Sequence, residues 1–177
     1  MATSVSLLDY IRGSLRQMHG WYDTAIADLD DGQLHWSANE NGLPIAFVLW
    51  HYVRTEDNVV NFVLQGHPTI WVDGGWNERF GLHKAAQGTG MTHEDARNLK
   101  IEDKAAWQDY QSGVWAATES FLASLTEERL AESVTVKPVG EMPVYAAIGN
   151  MCLTHGYNHL VEIQHLRGLL GLRGMAW

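Results

Sequence analysis

Two histidines four residues apart, His155 and His159, stand in a segment whose apolar residues repeat at helical spacing. Val144, Ile148, Met151, His155, His159, Glu162, Leu166 and Leu169 follow one another in steps of three or four. Residues so spaced share one helix face, with β-carbons about 5–6 Å apart. Two imidazoles at that separation can reach one metal ion, and His-x-x-x-His on a helix is a common zinc or nickel arrangement. The pattern assigns both rings, with Glu162 one turn on, to a stripe that faces the core. A polar group buried there without a partner costs about 1–3 kcal/mol. A bound metal removes that cost and couples its own binding energy to folding.

A metal centre needs a third protein ligand. His51, in Leu49-Trp50-His51-Tyr52, is the histidine of a second helical segment and adjoins its apolar stripe. From there it can approach the pair across a bundle interior. Three protein ligands with a vacant position are the pattern of a catalytic site. Glu162 is placed to accept an imidazole N–H or to ligate directly, and Glu56 and Asp57 are candidates to do the same for His51. Asp57 reads more readily as a solvated carboxylate. His19, His35, His67, His83 and His93 lie near helix ends or in loops and read as solvated or locally bonded. His165, six residues past His159, points away from the ligand face. Cys152 reads as a small buried residue. Nucleophile-elbow, phosphate-loop and dinucleotide fingerprints are absent from the sequence.

Positioning three such ligands requires helices. The periodicity predicts four, over about residues 4–29, 44–65, 101–125 and 143–170. The first has the stripe Leu8, Ile11, Leu15, Met18, Tyr22, Ile26, Leu29. Ile45, Val48, Leu49, Tyr52, Val59, Phe62 and Val63 form the second stripe, with Pro44 in a first-turn position and Gly66 as its stop. Trp107, Tyr110, Val114, Ala117, Phe121 and Leu125 mark the third. Gly171 stops the fourth. Residues 67–100 form a long connection rich in glycine, with a helix start at Thr92. A link of that length is a crossover or a functional loop. The expected fold is all-α, a four-helix bundle in which the second and third helices run parallel. Residues 134–139 are the one strand candidate and read more readily as a linker. Trp50, Trp71, Trp76 and Tyr157 could wall a pocket that the crossover lids, but core packing is the safer reading for each.

The bulk properties narrow the function classes. A formal charge of −9 with no Lys/Arg cluster above two residues excludes a nucleic-acid surface. The single cysteine permits no internal disulfide and suits a reducing cytosol. No apolar run approaches the roughly 18 residues of a membrane helix. The N-terminal residues lack a basic stretch followed by an apolar one, so a cytoplasmic location is expected. One domain over residues 1–177 accommodates the length.

The segments Trp50-His51-Tyr52-Val53-Arg54-Thr55-Glu56-Asp57, His155-Gly-Tyr-Asn-His159-Leu-Val-Glu162-Ile and Leu166-Arg167-Gly168-Leu169 resemble the DinB-like superfamily. The similarity of layout covers essentially the whole chain. It implies a bundle with a metal site near one end, the ligand roles falling on His51, His155 and His159. It also implies zinc or nickel, a small-molecule substrate and a homodimer. Members with a known activity are often metal-dependent thiol transferases or isomerases that use a low-molecular-weight thiol such as bacillithiol or mycothiol. Val161 stands where a small residue is often found, and Glu162 where glutamine is; the glutamate adds charge beside the metal. The expected function is thiol S-transfer to a small electrophile. Two alternatives stay open: a metal-dependent hydrolase of a small ester or amide, and a non-enzymatic bundle that binds a ligand or protein around a structural metal.

Overall fold

Ser6 opens the first long helix by accepting the Asp9 amide proton at 3.1 Å, satisfying one of the donors that a helix start leaves free. In the computed structural model, which describes residues 6–174, this helix, α1, spans Leu7–Ala27. The expected onset near residue 4 lies outside the described residues. Ile11, Leu15, Met18, Tyr22, Ile26 and Leu29 are all buried, so the stripe is the packing face.

The second long helix, α2, spans Ile45–Asp57 and continues in π form over Asn58–Val63. Pro44 caps it, one residue before the expected first turn. The left-handed Gly66 follows it. Every residue of Ile45–Asp57 is buried except His51. The π stretch bonds i to i+5, so each turn holds an extra residue. That winding leaves Phe62 60% exposed, where an uninterrupted α pattern places it inside.

The third, α3 (Lys104–Ser124), begins at Asp103, whose side chain accepts the Ala106 amide at 2.9 Å. The crossover between α2 and α3 holds short helices at Ile70–Asp73, Trp76–Arg79 and His93–Asn98. Thr92 caps the last of these, as its sequence indicates. After α3, residues expected as a linker form a hairpin instead. β1 (Ser133–Val136) pairs antiparallel with β2 (Gly140–Pro143), Val134 opposite Met142. Strands of four residues carry too few side chains for a period-two signal to stand out. The last helix, α4, runs through Val144–Ala147, a π stretch Ile148–Thr154, and His155–Leu169. Gly171, at φ +76°, follows it.

Side-chain contacts fix the helix directions. Along α1, Arg12 and Arg16 reach Glu119, Asp23 reaches Gln111 and Trp115, and the Ala27 and Leu29 carbonyls accept from Lys104. So α1 and α3 are antiparallel. Ser14 meets Tyr157, and Ala25 and Asp28 meet Arg167, so α1 and α4 run parallel. The π stretches of α2 and α4 touch each other while His51 faces His155 and His159, so α2 opposes α4. It follows that α2 and α3 are parallel, and residues 67–100 carry the chain back along the bundle. Among the described residues, no helix is long and apolar enough to cross a membrane.

Two adjacent carboxylates on α2 tie these helices together, and both are fully buried. Glu56 takes His19 of α1 at 2.9 Å, Thr118 of α3 at 2.6 Å, and the Tyr52 hydroxyl of its own helix. The His19 ring is stacked on Trp115 at 3.9 Å. Asp57 accepts from Arg54, Asn61 and Tyr110 and from the Ile70 and Trp71 amides, all at 2.9–3.0 Å. Asp57 is therefore not solvated, and neither is His19. The signal for His19 was available, since it lies four residues past Leu15 and three before Tyr22 on the packing face.

Burial raises the Glu56 pKa, but His19, Thr118 and Tyr52 outweigh it and hold the carboxyl below 4.5. A carboxyl lowered on folding gives stability that is complete above the unfolded pKa. That stability is lost as the pH falls through the folded value. Glu56→Gln is expected to remove this acid slope from urea-unfolding midpoints and to lower stability at pH 7 by about 3–5 kcal/mol, as for other broken buried pairs.

Candidate metal centre

The π stretch of α4 decides where its histidines point. A steady α pattern puts Met151, His155, His159 and Glu162 on the core stripe. The extra residue in Ile148–Thr154 shifts the register by one. Ile148, Cys152, Gly156, Leu160 and Ile163 form the buried face instead. His155 and His159 flank that face, each half-buried, and Glu162 is exposed. Gly156 keeps α4 close to its neighbours, since a β-carbon there would fall 2.6 Å from Met18 Sδ and 2.7 Å from Tyr52 Cε2. Histidines at this edge face a third ring on α2 and still reach solvent.

That third ring is His51. One nitrogen from each of His51, His155 and His159 lies within 4.8 Å of the others. The His51 centroid is 5.1 Å from both partners, and the Nε2 atoms of His155 and His159 are 2.9 Å apart. Nitrogens around a tetrahedral zinc ion stand roughly 3.3 Å apart, so these spacings bracket what one ion needs.

The outward nitrogens fix the tautomers. His51 Nδ1 donates to the Gln87 carbonyl, which only accepts. His159 Nδ1 faces Glu162 Oε2 at 2.9 Å. With both Nδ1 atoms protonated, the Nε2 lone pairs of His51 and His159 are free to point inward. His155 Nδ1 is buried with no hydrogen bond of good geometry, although the Met151 carbonyl faces its ring. Burial, then the His159 and His51 rings, push the His155 pKa down to about 4. Burial also lowers His51, partly offset by Gln87. Both rings are neutral at pH 7, the form that ligates metals. Lone pairs that converge at 2.9 Å repel unless a proton or a cation lies between them. The donor set therefore fits a divalent transition metal, and among the described residues no carboxylate or thiolate joins the three histidines.

The crossover closes on His51. Besides the Gln87 bond, Gly88 packs on the ring at φ +96°, and a β-carbon there would fall 2.5 Å from Nδ1 and 3.3 Å from Phe47. The Phe47 ring lies parallel to that of His51, with centroids 5.8 Å apart.

Of the other expected participants, Glu162 contacts His159, whereas Glu56 and Asp57 bond elsewhere and leave His51 to Gln87. His165 is exposed, and Trp50 and Trp71 are core residues. Cys152 is buried, its thiol raised well above the usual range by burial and Glu56, so it offers no nucleophile. A cleft of about 770 Å³ lies in the crossover between Phe80, Leu82, Met91 and Leu99, and none of the three histidines lines it. Gln87 and Gly88 were not legible as site residues, because a backbone carbonyl and a missing side chain leave no mark in a single sequence.

The bundle and its cluster define a class of four-helix proteins with three convergent histidines. The family model of the DinB superfamily matches residues 14–163, and the chain belongs to that superfamily. Among solved structures it is similar to a conserved protein from Enterococcus faecalis, with 18% identity, a TM-score of 0.76, and coverage of 95% of this chain and 99% of the other. It is also similar to YfiT from Bacillus subtilis, described as a probable metal-dependent hydrolase with an unusual four-helix bundle topology. There the identity is 14%, the TM-score 0.65, and the coverage 98% and 94%. No curated protein matches the sequence.

Alanine at Gly88 is expected to strain the backbone and drive the His51 ring away from the Gln87 carbonyl. A crystal structure of Gly88→Ala should show that contact beyond hydrogen-bonding range. A ring left in place would mean that the loop does not hold it.

Proposed function

We propose that the chain is a metal-dependent enzyme whose His51, His155 and His159 hold a divalent transition metal, zinc or nickel, for nucleophilic attack on a small electrophile. The observation that carries the reading is the convergence of three imidazoles, two of them with the outward nitrogen already engaged. Bound there, the ion would supply Lewis-acid activation, bringing a water or thiol ligand to a pKa of about 7. The chain's own residues do the rest. Gln87 and Glu162 keep His51 and His159 in the Nδ1–H form. Burial keeps His155 unprotonated. With Cys152 sealed in the core, the nucleophile comes from solution.

A low-molecular-weight thiol of the bacillithiol or mycothiol type is the nucleophile that the resemblance favours, which makes the reaction an S-transfer. Water is the second reading, and the description of YfiT favours it. In that case the substrate is a small ester or amide. A cytoplasmic homodimer is the setting we propose, from the resemblance and the single cysteine; light scattering measures the assembly.

Untagged protein is expected to carry about one ion per chain by elemental analysis. His51→Ala and His155→Ala should lose it while retaining helical circular dichroism. Protons compete with the ion for the three rings, so dialysed protein should hold its metal at pH 7 and release it as the pH falls toward about 4, where His155 itself protonates. Full stoichiometry in both variants refutes the site. Conjugation of a haloarene or epoxide that needs both metal and thiol supports the transferase. Metal-dependent ester or amide cleavage without thiol supports the hydrolase. Metal whose removal only lowers stability supports a structural role.

A further inference from the structure

We propose that the buried Arg54–Asp57 pair positions His51, acting through the backbone of the crossover, and so sets how tightly the site holds its ion. The proposal rests on the metal reading above.

On its own helix the His51 ring lies parallel to Phe47 but finds no hydrogen-bond partner there. Thr55, one turn on, bonds the His51 carbonyl at 2.8 Å, not the ring. Among the described residues, the nitrogen that must point away from the metal is held by the Gln87 carbonyl alone. The ring is therefore only as well placed as residue 87, in a stretch between Gly81 and Thr92 that forms no helix. Among the described residues, two side-chain hydrogen bonds run from α2 to this stretch. One is His51 to Gln87 itself. The other is Arg54 Nε to the neighbouring Ala86 carbonyl, at 3.1 Å.

Arg54 is an anchor that cannot easily shift. It is 2% exposed, with Nη1 2.9 Å from Asp57 Oδ2 and 3.3 Å from the Tyr110 hydroxyl, and its guanidinium lies 5.0 Å over the Trp71 ring. Asp57 is fixed in turn by Tyr110 and by the Ile70 and Trp71 amides where the crossover begins. The guanidinium is planar with its donors in a rigid fork. One face of the fork takes the carboxylate and Nε takes Ala86, so the spacing between Asp57 and residue 86 is set by covalent geometry. Residue 87 follows, and His51 with it.

The competing account is that Arg54 merely neutralises a buried carboxylate, with Ala86 an incidental partner. Arg54→Lys separates the two. Lysine keeps the charge beside Asp57 but has a single terminal nitrogen in place of the fork. Two measurements apply. The first is nitrogen NMR of the His51 ring in metal-free protein, which reads the tautomer directly. The second is zinc affinity by competition with a chromophoric chelator. Wild type should show one Nδ1–H tautomer. Arg54→Lys should show mixed tautomers and zinc binding weaker by about ten- to a hundredfold. Tyr110→Phe, which removes one hydrogen bond each from Arg54 and Asp57 and leaves both charges, should move both readouts the same way by a smaller factor. It also serves where the lysine variant does not fold. A purely structural role would lower the urea midpoint and leave both readouts at their wild-type values. That result, or mixed tautomers in wild type, overturns the proposal. Wild type that binds no zinc sinks the metal reading instead, and the tautomer measurement still judges this one.

Discussion

The structure is organised around two neighbouring carboxylates that have been taken wholly out of water. A lone ionised carboxylate in that position is prohibitively unstable, so partners must be brought to it from several directions. Glu56 draws in α1 and α3, and Asp57 draws in α3 and the start of the crossover. Their helix is buried almost all round and serves as the central post. Because satisfied buried polar networks specify a unique arrangement, this pair selects one packing of the helices, and the histidines inherit their positions from it.

The helices were legible because their stripes are long. The first stripe has seven residues and the third six, each ending just past its helix, at Leu29 and Leu125, and tertiary contacts reinforce what the periodicity indicates. The parallel course of α2 and α3 followed from the length of the link between them. The hairpin was not legible, since four-residue strands leave no periodic trace. The π stretches were not legible either, and they are the more instructive failure. A π turn needs no special residue type, only one more residue in the turn, and a pattern read in steps of three and four absorbs it unnoticed. The consequence appears at Phe62, which turns outward, and at His155 and His159, which move from the core face to its edge.

The ligand candidates could be named because imidazoles on helical positions carry both chemistry and geometry in their spacing. What holds them could not. Glu162 was visible as a carboxylate one turn past His159. The support of His51 runs instead through a main-chain carbonyl and a glycine with no room for a β-carbon. Glu56 and Asp57 were noticed as acidic residues near His51. Their real partners are 13 to 62 positions away in sequence, apart from those on their own helix. Such pairings exist only once the chain has folded.

The π turn of α4 also means that the site depends on residue count as well as residue identity. Each residue in an α-helix advances the chain by about 100°. Winding Ile148–Thr154 regularly with every residue kept would swing both imidazoles back under the hydrophobic face, whereas regular winding with one residue deleted there would leave them at its edge. The wide turn and a regular turn one residue shorter therefore present the same face, so the chain can lose one residue there and keep its imidazoles in place.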